Sequence, residues 1–227
     1  MSLLLDCYLD DFGCPPAFTP PGPHTRVRVA HTALAELPRS ARDFSSIIIT
    51  GSAASVLDEE PWSLALEELI DDAYAHKVPL FGVCYGHQLI AKRLFGAAAC
   101  ADVPEIGWYD VRLNEAGQAA GSPIQSLPAT FRCFLSHFDE VRDPGADNFE
   151  VLASSDACGV QAFRLTDAPI FGVQFHAEFS KEEALELFDI RTQKTPAAVP
   201  NAKAMRTRAT DTLALWAPLY RAFHAAP

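Results

Sequence analysis

The stretch PLFGVCYGHQLI, residues 79–90, limits the fold more than any other part of the chain. An apolar run leads into Cys84, which has a glycine two positions to either side, Gly82 and Gly86, and helix-compatible residues behind it. The spacing GxCxG is that of a nucleophile elbow, a sharp strand-to-helix turn that presents one side chain above a sheet edge. The apex residue is held in a strained backbone conformation, and its neighbours must be small for strand and helix to cross closely. The helix amino terminus then offers N–H groups and a positive dipole end, both of which favour a thiolate over a thiol. Cys84 is therefore a candidate nucleophile. A buried structural cysteine on an ordinary βα turn fits the same five residues, so the assignment needs support from elsewhere in the chain.

The flanks supply an α/β context. LLLDCYL (3–9), VRVA (27–30), IIIT (47–50) and PLFGV (79–83) read as short buried strands, and DEEPWSLALEELIDDAYAHK between the last two reads as a crossover helix opened at Pro61. Strand, helix, strand, with the cysteine at the carboxyl end of the second strand, implies a parallel sheet whose ligands gather at that edge. The second half differs: WYDVRL (108–113), TFRCFLSH (130–137), FEVLASS (149–155), VQAFRL (160–165) and PIFGVQFH (169–176) alternate with turn residues and predict antiparallel or mixed strands. KEEALELFDIRTQK and TDTLALWAPLYRAFHAAP predict two further helices, and CPPAFTPPGPH (14–24) an irregular loop positioned to rim an active site. The 227 residues are expected to form one domain.

Bulk properties narrow the partners. A formal charge of −11 disfavours a nucleic-acid groove or an anionic membrane. The six cysteines show no CxxC pairing in a chain too large to need disulfides, which points to a reducing compartment. With no signal-like leader and no transmembrane-length apolar stretch, a soluble cytoplasmic protein is expected. The histidines show no metal-ligand spacing and no phosphate-binding glycine loop occurs, so neither metal nor cofactor is expected.

A thiol nucleophile needs a base that takes its proton and returns it to the leaving group, and histidine is the usual partner. Of seven histidines, His176 stands out, because GVQFHAEF is an apolar strand that ends on it, with Glu178 two residues on. In extended backbone that spacing puts both side chains on one side. Glu178 is then placed to fix the imidazole tautomer as the acid of a triad does. Cys84, His176 and Glu178 are the expected triad.

GVCYGHQLIA and GVQFHAE together resemble the two signatures of the class I glutamine amidotransferases, nearest to the amidotransferase domain of GMP synthase. IIITGSAASV (47–56) is similar to that family's oxyanion strand, and FLSHFDEV (134–141) resembles the SHxDxV segment of its GMP-synthase-like branch. The resemblance implies a flavodoxin-like fold, with a mostly parallel central sheet flanked by helices and a smaller antiparallel or mixed sheet. It implies that Cys84 attacks the side-chain amide of glutamine and forms a γ-glutamyl thioester that water hydrolyses. Backbone N–H groups of Tyr85 and of the Gly51–Ser52 region would form the oxyanion hole. Gln88 would face substrate, and Ser136, His137 and Asp139 would lie on a loop that reads its α-amino and α-carboxylate groups.

Two departures stand out. The usual SGGP of the oxyanion strand is Thr50, Gly51, Ser52, Ala53 here, and a serine at the second glycine is expected to restrict the peptide orientation the hole requires. The proline of the HPE signature is Ala177. No SGGVDS pyrophosphatase segment is present, so ammonia released by the chain would need a separate synthetase or acceptor subunit, or the reaction is simple hydrolysis. Two alternatives remain open at this stage: a peptidase acting on larger γ-glutamyl amides, and a regulatory or binding subunit that keeps the fold with little turnover.

Overall fold

The computed structural model describes residues 1–9, 13–20 and 22–225. Its frame is a nine-stranded sheet in the order β2-β1-β3-β4-β9-β8-β7-β5-β6. The first five positions are parallel: β2 (His24–Arg28), β1 (Ser2–Asp6), β3 (Ser46–Ile49), β4 (Leu80–Val83) and β9 (Ile170–Val173). The next four continue the same ladder antiparallel: β8 (Ala162–Leu165), β7 (Phe149–Ser154), β5 (Ala98–Leu113) and β6 (Thr130–Val141). The antiparallel strands expected as an additional sheet are thus joined edge to edge to the parallel ones.

The parallel strands read as continuous apolar runs because both of their faces are covered. Leu3, Leu5, Ile47, Ile49 and Leu80 pack into one core with helices α1 (Pro61–Ala75) and α2 (Tyr85–Phe95). Their alternating neighbours Leu4, Ile48, Phe81 and Val83 pack into a second core on the opposite face. That second core takes in α4 (Lys181–Lys194) and α6 (Leu213–Ala225). Phe81 and Phe171 stack at 4.4 Å, with Trp216 and Phe223 of α6 against Phe81 at 5.9 and 5.5 Å. The two short helices are α3 (Glu115–Gln118) and α5 (Ala202–Arg206).

Three expectations are corrected. The strand expected over 108–113 is the last third of β5, which starts ten residues earlier. The ladder to β6 is irregular between Cys100 and Glu105, and the segment there is largely exposed, so the burial alternation that marks a strand is missing. Ser136, His137 and Asp139 lie within β6 rather than on a loop. The segment 14–24, apart from residue 21, which lies outside the described residues, is pinned to the terminal helix: Phe18 is fully buried against Trp216, whose indole donates to the Ala17 carbonyl. None of its described residues lines the cavity at Cys84 or the cleft at His176.

Sheet curvature makes the site. β6 lies at the far end of the strand order, yet the sheet curls so that Phe134 forms an antiparallel bridge to His176, whose N–H donates to the Phe134 carbonyl at 2.8 Å. The strand carrying Ser136 and Asp139 thereby arches over the carboxyl ends of β4 and β9.

Candidate active site

Cys84 caps the amino end of α2 with φ 50° and ψ −100°, a backbone region that costs a non-glycine residue on the order of 1–3 kcal/mol. Its flanking glycines are sterically required. A Cβ on Gly82 would lie 2.4 Å from the Gly86 carbonyl carbon, and one on Gly86 would lie 2.3 Å from the Ile49 carbonyl oxygen. The Cys84 N–H is tied to the Val173 carbonyl at 2.8 Å and the Gly86 N–H to the Thr50 carbonyl at 3.2 Å, so strand ends β3, β4 and β9 are bound together around the thiol.

His176 follows the end of β9 and is buried. Its Nδ1 lies 2.6 Å from Oε1 of the fully buried Glu178, which leaves Nε2 for the thiol. Burial pushes the imidazole pKa down, but the Glu178 carboxylate and the Cys84 thiolate outweigh burial and raise it to about 10. The His176 carbonyl is held by the Cys133 thiol at 3.2 Å and the Thr212 hydroxyl at 3.5 Å.

The oxyanion-strand residues sit beside this pair. A Cβ on Gly51 would come within 3.1 Å of His176 Cε1 and 3.2 Å of the Tyr8 hydroxyl oxygen, so only glycine fits without displacing them. Thr50 Oγ1 accepts from the Cys7 N–H at 2.9 Å and donates to the Gly51 carbonyl at 3.1 Å. Ser52 lines both cavities described below, and its hydroxyl accepts from the Ala54 N–H at 3.1 Å. Among the described residues the non-glycines with left-handed φ are Lys77 and Cys84, so Ser52 adopts an ordinary backbone conformation. The Tyr85 side chain points away, its hydroxyl donating to Ser63 Oγ at 2.7 Å. Its N–H, at the first position of α2, has no acceptor within the helix.

Cys84 opens into a cavity of about 270 Å³ lined by Ser52–Ser55, Asp58, Gln88, residues 136–139 and Arg191. That is below the range of about 300–1,000 Å³ typical of drug-sized ligands and suits a single amino acid. Gln88 spends both amide protons inside the protein, on the Asp139 carbonyl at 2.6 Å and Gln174 Oε1 at 3.0 Å, and keeps a carbonyl oxygen as acceptor. Asp139 Oδ2 accepts from Ser55 Oγ at 2.6 Å. The Ser136 carbonyl faces the thiol at 4.0 Å and its hydroxyl accepts from Arg191 Nε at 3.3 Å. His137 also borders the cavity, but both ring nitrogens are engaged, Nδ1 on the Asp139 carbonyl at 3.0 Å and Nε2 on buried Glu105 at 3.2 Å. Its imidazole braces the strand and has no ring nitrogen left for a ligand. His176, Tyr8, Ser52, Ser136, Leu187 and Arg191 border a second cleft, of only about 20 Å³.

Sequence reasoning missed Tyr8 and Arg191. The Tyr8 hydroxyl lies 3.5 Å from Glu178 Oε1, just past the carboxyl end of β1, where the parallel-sheet rule already directed attention. Arg191 sits one turn beyond Leu187 on α4, the helix entered directly after Glu178 through the Ser180–Glu183 capping box.

Comparison with known proteins agrees with this architecture. The family description Glutamine amidotransferase class-I matches residues 23–189. The chain is 34% identical to a subunit of the glutamine-hydrolyzing GMP synthase of Pyrococcus abyssi over 117 residues, 52% of this chain and 60% of that protein. It is 36% identical to the corresponding GMP synthase subunit of Methanococcus aeolicus over 153 residues, 67% of this chain and 73% of that protein. In fold it matches a crystal structure of a glutamine amidotransferase from Thermotoga maritima with a TM-score of 0.77 at 17% identity, covering 99% of this chain and 98% of that one.

Proposed function

The chain belongs to the class-I glutamine amidotransferase family, and from that membership we propose that it hydrolyses the side-chain amide of glutamine with Cys84 as nucleophile, His176 as acid and base, and Glu178 as its orienting partner. The observation that carries the reading is the left-handed Cys84 at the head of α2, facing a buried imidazole whose Nδ1 is held by a carboxylate at 2.6 Å. The Cys84 thiolate adds to the γ-carbonyl, and the oxyanion that forms lies beside the Tyr85 N–H at the positive end of α2. The C–N bond breaks as His176 passes its proton to the leaving nitrogen, ammonia departs, and a γ-glutamyl thioester remains. His176 then takes a proton from water, which adds to the thioester, and glutamate leaves as the thiolate reforms. Water is consumed, and glutamate and ammonia are produced.

The cavity supports glutamine over larger γ-glutamyl amides. The cleft that His176 borders has about 20 Å³, room for one water-sized molecule and not for an amino acid, and a leaving group protonated by His176 is released beside it. The named relatives are subunits of GMP synthase, and we assign the ammonia a destination in a separate synthetase subunit by that analogy. The test is glutamate release from L-glutamine by the purified chain beside Cys84→Ala. Turnover that falls by about 10⁶ in the variant is the expected result; equal release by both proteins overturns the assignment of the nucleophile.

A further inference from the structure

Hydrolysis of a thioester needs a second placement besides that of the nucleophile: one water, held beside the base with a lone pair free for the carbonyl carbon. The cleft that His176 borders has the size and the chemistry for it. Its volume of about 20 Å³ is just above the roughly 10–15 Å³ that one water requires. Tyr8, Ser52, Ser136, His176 and Arg191 border it with side chains that can hydrogen-bond, and a buried water draws on about two to four such groups. Ser136 Oγ already accepts from Arg191 Nε at 3.3 Å, and Ser52 Oγ from the Ala54 N–H at 3.1 Å. Tyr8 is differently placed. Its buried ring stands edge-on to Phe179 at 6.4 Å. Its hydroxyl oxygen and His176 Cε1 both crowd the position a Cβ on Gly51 would take, at 3.2 and 3.1 Å, so phenol and imidazole flank one small space that the glycine keeps open. The only hydrogen bond of that hydroxyl among the described residues runs to Glu178 Oε1 at a long 3.5 Å. Burial and the Glu178 carboxylate push the phenol pKa well above its usual value, so the proton stays on the oxygen and both lone pairs remain available to accept.

We propose that this cleft seats the water that hydrolyses the γ-glutamyl thioester, with the Tyr8 hydroxyl accepting a hydrogen bond from one of its protons while His176 takes the other. This rests on the reading of the chain as a glutamine hydrolase and adds a catalytic residue to the second half of that reaction. With both protons directed, a lone pair of the water is left for the thioester carbonyl carbon. The oxygen adds there, the first proton passes to Nε2 of His176, the C–S bond breaks, and the Cys84 thiolate reforms. The second proton stays on the new carboxyl group and is lost to solvent as glutamate departs. Tyr8 therefore serves hydrolysis of the thioester and not its formation. Leu187 borders the cleft with an apolar side chain and limits the size of any other acceptor that could take the place of water.

The experiment follows the Cys84 adduct by mass spectrometry of the whole chain, quenched at intervals after mixing with L-glutamine, beside glutamate release. Tyr8→Phe keeps the ring and removes the hydroxyl. Thioester formation is expected to stay within a few-fold of the parent while hydrolysis slows by about tenfold, so the variant accumulates more adduct than the parent. Hydrolysis at the parental rate overturns the assignment of Tyr8. Formation and hydrolysis slowed by the same factor overturn it as well, because Tyr8 would then act through Glu178. Leu187→Ala tests the cleft with Tyr8 intact. Methoxyamine, a small neutral amine, competes with water for the thioester, and its capture as the γ-glutamyl O-methylhydroxamate is expected to rise severalfold over the parent once the cleft is widened. Equal capture by parent and variant overturns the cleft as the seat of the second nucleophile and leaves the hydrolase reading standing. A parent chain that forms neither adduct nor glutamate overturns that reading, and this inference with it.

Discussion

The parallel and antiparallel halves of the sheet build the site by different means. At the carboxyl ends of β3, β4 and β9 the groups proposed to react are placed by backbone. Cys84 is lifted by a left-handed φ, Gly82 and Gly86 leave no room for a Cβ, and Cys84, Gly86 and His176 are each tied through a main-chain N–H to a neighbouring strand. On the antiparallel side β6 brings Ser136 and Asp139 to the cavity through side-chain bonds to Ser55, Gln88, Arg191 and, through His137, to the buried Glu105. A nucleophile must be held to a fraction of an ångström, and strand ends bound on several sides supply that rigidity. The rest of the cavity wall is delivered from distant parts of the chain, by the curled sheet and by the helix that follows Glu178.

If this contrast is correct, damage to the parallel side appears in kcat and damage to the antiparallel side in KM. The largest effect is expected at the carboxylate of the proposed triad. Glu178→Gln should lower kcat by about 10³–10⁴, the scale seen when a triad histidine loses its acid. It should also move the pH profile in a set direction. In the proposed reaction His176 carries a proton to the leaving nitrogen, so activity falls as pH rises through its pKa, raised to about 10 with the carboxylate in place. Without that carboxylate one of the two groups that raise the imidazole pKa is gone, and the alkaline limb shifts to lower pH. A kcat profile whose alkaline limb does not move would show that Glu178 does not set the charge on the imidazole.

A smaller effect, on the other side of the comparison, is expected for Asp139→Asn. The fold and the Ser55 contact can survive the substitution, but the negative charge that the family resemblance assigns to the substrate's head group is lost. KM for glutamine should rise by about tenfold or more with kcat within a few-fold of the parent. Steady-state kinetics decides it, and a selective fall in kcat would place Asp139 with the reacting groups. The smallest effect is expected at Ser52→Gly. Ser52 has an ordinary backbone conformation where the related pattern carries glycine, and a glycine would free the peptide to turn its N–H toward the oxyanion. The rate should rise by roughly tenfold or less in a glutamate-release assay. An unchanged rate would mean that the hole is already formed with serine in place.

Legibility differed between the same two regions. Cys84, His176 and Glu178 were readable because each lies in a local pattern: an elbow that only small neighbours permit, and a strand ending in His-x-Glu. Their chemistry follows from residues adjacent in sequence. Tyr8 follows β1, which the sequence also marked, yet nothing local announced that its hydroxyl would reach Glu178, 170 residues on. The resemblance selects Ser136 and Asp139 and also puts them on a loop, although TFRCFLSH (130–137) by itself reads as a strand. β6 tolerates them because the Glu105 network satisfies His137 and Ser55 satisfies Asp139. Those partners come from elsewhere in the chain.

The sequence by itself determined the α/β class, the parallel βαβ unit and the position of the thiol at a strand end, since apolar periodicity and glycine sterics act over a few residues. The tertiary structure alone decided that the antiparallel strands extend the parallel sheet, that β6 curls back to bridge Phe134 to His176, and that α4 brings Arg191 over the cavity. These depend on sheet twist and on contacts between segments far apart in the chain, and no local pattern of residues encodes them.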